Sequence, residues 1–259
     1  MTAPDGTPDY HAAVTAHPST ARTLPERAAA ATTAVAAAIV VIAIAILPFL
    51  TPAWIAFEQG RTDAAALTGY SEPDLRFATN AILHDLVLGP PDFAVEVNGV
   101  AVLEERERGH MRDVRTVFAG FAVLALGATV LLIGLVAGAR RRGQPERAWA
   151  AVSSGMRWLI GGIVVAGVIS AAAFDAVFET FHQVFFPGGN YTFDPRTDHL
   201  VQLFPFAFWS ETTIVLGAVI LALAAVLAVV TGRRARAARP AVAPGSSVAS
   251  SAARREGAR

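Results

Sequence analysis

The chain of 259 residues is 54% hydrophobic and has a positive mean hydropathy, more than a soluble domain carries, and so reads as a membrane protein. Its 21 basic residues are all arginine and are balanced by 21 acidic ones, with no concentrated basic face, which excludes nucleic acid as a partner. The absence of cysteine excludes disulfides, thiolate metal sites and a cysteine acyl-enzyme.

Residues 1–25, rich in Pro, Thr, Ala and Asp without periodicity, read as a disordered tail, and His11 and His17 within them carry no role. An apolar run follows over about residues 29–50. A bilayer core needs roughly 20 apolar residues as a helix, so this run is a first span. A cleaved signal peptide would have an apolar region of about 7–15 residues, and the longer run here reads as a retained anchor.

Residues 51–116 connect this span to the next and are rich in acid. Within them "SEPDLRFATNAILHDLVL" sets Leu75, Ala78, Ile82, Leu83, Leu86 and Val87 at helical spacing behind Ser71 as a cap, with Pro73 in the first turn. The pattern predicts a short amphipathic helix able to lie on the membrane surface, decorated by His84. Next, "FAVEVNGVAVLE" alternates apolar and polar residues around Asn98-Gly99, the signal of a two-stranded hairpin. "ERGHMRDVR", residues 107–115, leads into the second span, about 117–139.

The third and fourth spans cover about 158–178 and 212–230, and residues 232–259, rich in Arg, Ala, Ser, Gly and Pro, form a second disordered tail. The fold class is therefore all-α. Four transmembrane helices occupy a membrane domain of residues 26–231, with a small extracytoplasmic helix and hairpin between the first two spans. Arg140, Arg141, Arg142 and Arg147 crowd the second connection, and Arg233, Arg234, Arg236 and Arg239 follow the last span. Cytoplasmic loops collect arginine, so both termini face the cytoplasm and segments 51–116 and 179–211 face outward.

Ionisable groups at a membrane boundary are costly and so are functional candidates. Glu107, His110 and Asp113 recur at i, i+3 and i+6 ahead of the second span. Asp175, Glu179, His182 and Phe186 form a stripe at i, i+4, i+7 and i+11 running off the third. One helix enters from outside and the other leaves to the outside, so His110 and His182 lie at the same level, where two imidazoles can act on a lipid head group or acyl ester. Arg112 and Arg115 have the simpler reading of interfacial anchors that reach lipid phosphates. A metal site drawn from His110, Asp113, His182, Asp198 and His199 competes with the histidine pair, but no compact ligand motif such as H-E-x-x-H is present. A serine nucleophile lacks its G-x-S-x-G elbow, and Ser153, Ser154 and Ser170 fall far from the outer histidines.

"ERGHMRDVR" resembles an E-x-x-H-M-x-D-V-[K/R] motif. "FHQVFFPGGNYTFDPRTDHLVQLFPFAFW", residues 181–209, resembles the F-H-x-x-F-F…N-W-x-F-D-P…D…L-I-x-L-x-P-x-x-F-W block of the same family. That family is the four-span integral membrane proteins of Gram-positive bacteria that include the lipoprotein intramolecular transacylase. The resemblance runs from about residue 29 to 231. Tyr191 stands where the family tends to have Trp, His199 replaces a small polar residue, and Arg115 replaces Lys.

The resemblance implies an acyltransferase in the cell membrane, acting on diacylglyceryl lipoproteins and moving the sn-2 acyl chain to the α-amine of the N-terminal cysteine. It places an acid–base dyad on His110 and His182, with no metal and no cofactor. Neutral-range histidines suit an amine that must lose a proton and an alkoxide that must gain one. Asp113 or Glu107 are then expected to fix an imidazole tautomer. Arg115, Asn190 or Tyr191 are expected to stabilise the oxyanion, and Asp198 is a further supporting residue. The reading from another class is a non-catalytic membrane protein that binds a lipid or protein partner through its outer loops.

Overall fold

The computed structural model describes residues 23–238; the greater part of both tails, with His11, His17 and Arg239, lies outside them. Four helices are long and apolar enough to cross a membrane, and the chain is a multi-pass membrane protein. The first, α1 (Leu24–Ile46), opens with the Thr23 N–H donating to Glu26 at 3.1 Å and runs through a 3-10 turn at Leu47–Leu50. The others are α5 (Glu105–Arg141), α6 (Pro145–Phe185) and α8 (Phe206–Ala237). Each is longer than its apolar run. At about 1.5 Å per residue, α5 is about 55 Å long against a hydrocarbon core of about 30 Å, so its first turns project beyond the bilayer. Val123, Leu126, Val130 and Ile133 of α5 are exposed, as a lipid-facing surface must be.

The spans interlock through small residues. A Cβ on Gly155 of α6 would come within 2.6 Å of the Ala34 carbonyl oxygen of α1, so that crossing requires glycine. Ser153 donates to the Ala228 carbonyl of α8 at 2.9 Å, giving its hydroxyl a partner away from water. Ala37, Val41, Val152, Met156 and Ala224 fill the space between the helices. The α6 helix is interrupted at Ala173 (φ −152°, ψ 50°), a kink that precedes the turns carrying Glu179 and His182.

At one end of the bundle the connections build a cap. It holds α2 (Pro52–Arg61), α3 (Ala64–Thr68), α4 (Glu72–Val87), β1 (Glu96–Val97), β2 (Val100–Ala101) and α7 (His199–Leu203). Ser71 caps α4 through the Asp74 N–H, as its position implies. In the antiparallel hairpin Asn98 and Gly99 take φ of 54° and 77°, the left-handed pair of a type I′ turn. One correction concerns α4. Its apolar face does not lie on a membrane surface but is buried in the cap's own core. There Leu75, Ala78 and Ile82 meet Phe93, Val97, Val102, Leu103, Met111, Leu200 and Leu203. Helices α2, α3 and α7 had no periodic signal long enough to foresee them.

Candidate functional site

His110 sits on the projecting start of α5 and His182 on the last turns of α6, and the two imidazoles meet under the cap. Their ring centroids are 6.0 Å apart and the planes are inclined by only 22°. Both side chains are buried. An aromatic wall surrounds them. Phe186 lies 4.7 Å from His110 and 5.5 Å from His182, Phe193 lies 5.5 Å from His110, and Phe178 and Tyr191 lie 4.1 and 5.1 Å from His182.

A hydrogen bond settles which ring nitrogen of His182 carries a proton. The Nδ1 of His182 is 2.8 Å from the Phe178 carbonyl oxygen. A carbonyl can only accept, so Nδ1 is protonated and Nε2 keeps its lone pair. His110 Nδ1 is buried without a fully formed hydrogen bond among the described residues, and so is Asn190 Oδ1; Asn190 is the side chain that approaches His110 as a partner. Its amide is anchored from the other side, where Nδ2 donates to Asp113 Oδ2 at 2.7 Å. That anchor holds the amide beside the ring, where it favours the protonated form of His110. His182, for its part, offers a free Nε2. Ahead of the membrane-crossing part of α5, burial holds His110 below the ordinary imidazole range, and His182 pushes the same way; Asn190 and Asp113 offset part of this.

The other expected residues divide sharply. Asn190 stands beside His110, and Asp113 both anchors that amide and acts on the ring through its charge. Tyr191 lines the site with its ring, while its hydroxyl donates to Glu179 at 3.0 Å. Glu107 neighbours His110 in sequence but does not orient it. Its carboxylate accepts the backbone N–H groups of Glu104 at 2.7 Å and Leu200 at 2.6 Å, joining the start of α5 to α7. Arg115 does not face the histidines either: its guanidinium donates to the carbonyls of Asp85 and Gly89, where α4 ends. Asp198 accepts from the Asp194 N–H at 2.8 Å, from Thr197 at 3.0 Å and from Arg106 at 2.5 Å, contacts that hold its carboxyl below the usual range.

Arg106 was not anticipated. It pairs with Asp198, donates to the Thr192 carbonyl at 2.5 Å and lies 4.8 Å over the ring of Phe193, pressing the 192–198 loop onto His110. The five residues weighed as metal ligands do not converge, since Asp198 is held by Arg106 and His199 Nδ1 donates to the Val102 carbonyl at 2.8 Å. Among the described residues no group of three or more His, Asp or Glu side chains is placed to hold a metal ion.

Comparison with known proteins places this arrangement in a lineage. No curated protein sequence matches the chain significantly. Solved structures of the membrane integral lipoprotein intramolecular transacylase Lit from Bacillus cereus are similar in fold. One matches with a TM-score of 0.67 at 15% identity, covering 82% of this chain and 95% of that one. Two further structures of that protein, with a histidine replaced by alanine or by arginine, match with TM-scores of 0.66 and 0.67 at 15% and 16% identity; they cover 80% and 83% of this chain and 92% and 95% of theirs. The family model described as lipoprotein intramolecular transacylase Lit matches residues 30–209, which include both histidines, and the chain belongs to that family.

Proposed function

We propose that this protein is a lipoprotein intramolecular transacylase that moves the sn-2 acyl chain of a diacylglyceryl lipoprotein to the α-amine of its N-terminal cysteine. The observation that carries the reading is the pair of buried imidazoles, 6.0 Å between centroids, with His182 Nδ1 bound to the Phe178 carbonyl and Asn190 standing beside His110. One substrate atom hydrogen-bonded at about 2.8–3 Å to each side can bridge such a gap. One imidazole takes the proton that the α-amine loses as its nitrogen attacks the ester carbonyl. The C–O bond to the glycerol sn-2 oxygen then breaks, and the proton taken from the amine is passed to that alkoxide through the other histidine, so that both imidazoles end neutral. An amide and a lyso glyceryl group result, with no covalent acyl-enzyme.

The low proton affinity of His110 fits a group that stays neutral near pH 7 and acts as base. The carbonyl of Phe178 would stabilise His182 when it is positively charged. The bundle end opposite the cap carries Arg140, Arg141, Arg147, Arg233, Arg234 and Arg236, which supports a cytoplasmic end there and an extracytoplasmic histidine site.

The test is the formation of lyso N-acyl lipopeptide from a diacylglyceryl lipopeptide in detergent, followed by mass spectrometry. His110→Ala and His182→Ala are each expected to lower the rate by about 10²–10⁴-fold, and the double variant to be little worse than either, because the pair acts as a unit. Wild-type rates in both single variants would instead favour a protein that binds lipid without catalysis.

A further inference from the structure

A second cluster of ionisable groups lies apart from the histidines, where α2 meets the start of α8. Glu58 is only 1% exposed, and its Oε1 has no hydrogen-bond partner among the described residues. Glu211 shares a cavity wall with it, and burial beside that second carboxyl disfavours a charged Glu58 that has no cationic donor of its own. Arg61 Nε donates to Glu211 Oε2 at 2.8 Å and is half exposed. These three side chains line one wall of a cavity of about 310 Å³ whose other walls are Phe57, Ile214 and Val215. Phe57 and Ile214 are themselves exposed, so the cavity opens onto the apolar flank of the bundle.

Two carboxyls facing one guanidinium leave a surplus acceptor, and that acceptor is the buried, unpartnered oxygen of Glu58. Leaving it so is costly, and a cationic donor would relieve it. A primary ammonium is compact and carries three donors, enough to reach both carboxyls at once. The apolar walls and their opening toward lipid require that the ammonium be attached to acyl chains. Arg61, released in part from Glu211, would then be free to face a phosphate.

We propose that the Glu58–Arg61–Glu211 cluster is a binding site for a lipid whose head carries a primary ammonium, with Glu58 and Glu211 accepting from the ammonium and Arg61 facing the neighbouring phosphate. The site is separate from the histidine pair, and its occupation does not depend on the acyl-transfer reading. Two sources share this chemistry, a phosphatidylethanolamine of the bilayer and a lipopeptide with a free α-amine.

Native mass spectrometry of the purified full chain in detergent tests the assignment, with dioleoyl phosphatidylethanolamine or dioleoyl phosphatidylcholine as the probe. The quaternary ammonium of choline cannot donate hydrogen bonds, so the wild-type protein is expected to retain the ethanolamine lipid about tenfold more tightly. Glu58→Gln and Glu211→Gln should each reduce that preference to near unity while the protein remains folded by circular dichroism. Competition by a diacylglyceryl lipopeptide with a free α-amine, but not by its N-acetyl form, would identify the substrate as the source; competition by neither would identify the bilayer lipid. Equal retention of the two lipids by the wild-type protein would overturn the proposal. So would a Glu58→Gln variant that keeps the wild-type preference.

Discussion

Replacing Asn190 by alanine isolates how His110 is held. The side chain lies between two groups, donating to Asp113 at 2.7 Å and standing beside the buried His110, whose protonated form it favours. A hydrogen-bonding amide beside a neutral imidazole contributes about 0.5–1.5 kcal/mol, and beside the imidazolium that forms in the reaction about 1.5–3 kcal/mol. The difference, about 1–2 kcal/mol, acts only when the ring has taken the amine proton. Asn190→Ala should therefore lower kcat by about 5- to 30-fold with little change in KM. Asp113→Ala removes the anchor of that amide and a smaller charge effect on the ring, and should cost less. The double variant should lose less than the two single losses combined, because the residues share one chain of bonds. The readout is the rate of lyso N-acyl lipopeptide formation at saturating lipopeptide. A wild-type rate for Asn190→Ala would refute the reasoning, and an Asp113→Ala more damaging than Asn190→Ala would show the carboxylate's charge outweighing the amide.

Burial lowers the proton affinity of His110, so the acid limb of kcat/KM should fall below about pH 6.5, the value of a free imidazole. Asn190 opposes that lowering, so Asn190→Ala should move the limb further toward acid; movement toward alkali would contradict the assignment. The same sign governs folding: neutral His110 is favoured in the native state, so its contribution to stability falls as pH drops through about 6.5, visible as a lower unfolding temperature that His110→Phe should abolish. Glu107→Ala leaves the Glu104 and Leu200 N–H groups without acceptors, and Glu107→Gln cannot accept both through one oxygen. Each should cost about 2–4 kcal/mol in the cap, read as a lower midpoint of thermal unfolding in detergent, and an unchanged midpoint would remove Glu107 from its structural role. Because the chain has no cysteine, single cysteines at Asn98 and Gly188 can report topology; both should react with an impermeant maleimide in intact cells, and reaction only after lysis would invert the orientation.

The features that were readable beforehand are those written within a few residues of one another. The four apolar runs, the Ser71 cap and the Asn98-Gly99 turn need only local spacing, and all appear in the structure. The histidines were found by the same means, since each falls on the helical turns next to a span. Their neighbours were not. Glu107 reaches Leu200 across 93 positions, Arg106 reaches Asp198 across 92 and Asn190 reaches Asp113 across 77, distances at which periodicity carries no information. Helical spacing put Glu107 on the same side as His110, and the side is right: both are buried under the cap. What spacing cannot tell is which of two inward carboxylates meets an imidazole and which meets a backbone. A buried carboxylate that finds two N–H groups needs no histidine, so Glu107 was taken by α7. Asp113, one turn beyond His110 and exposed, had only Asn190 to meet, and through it became the residue that bears on the chemistry.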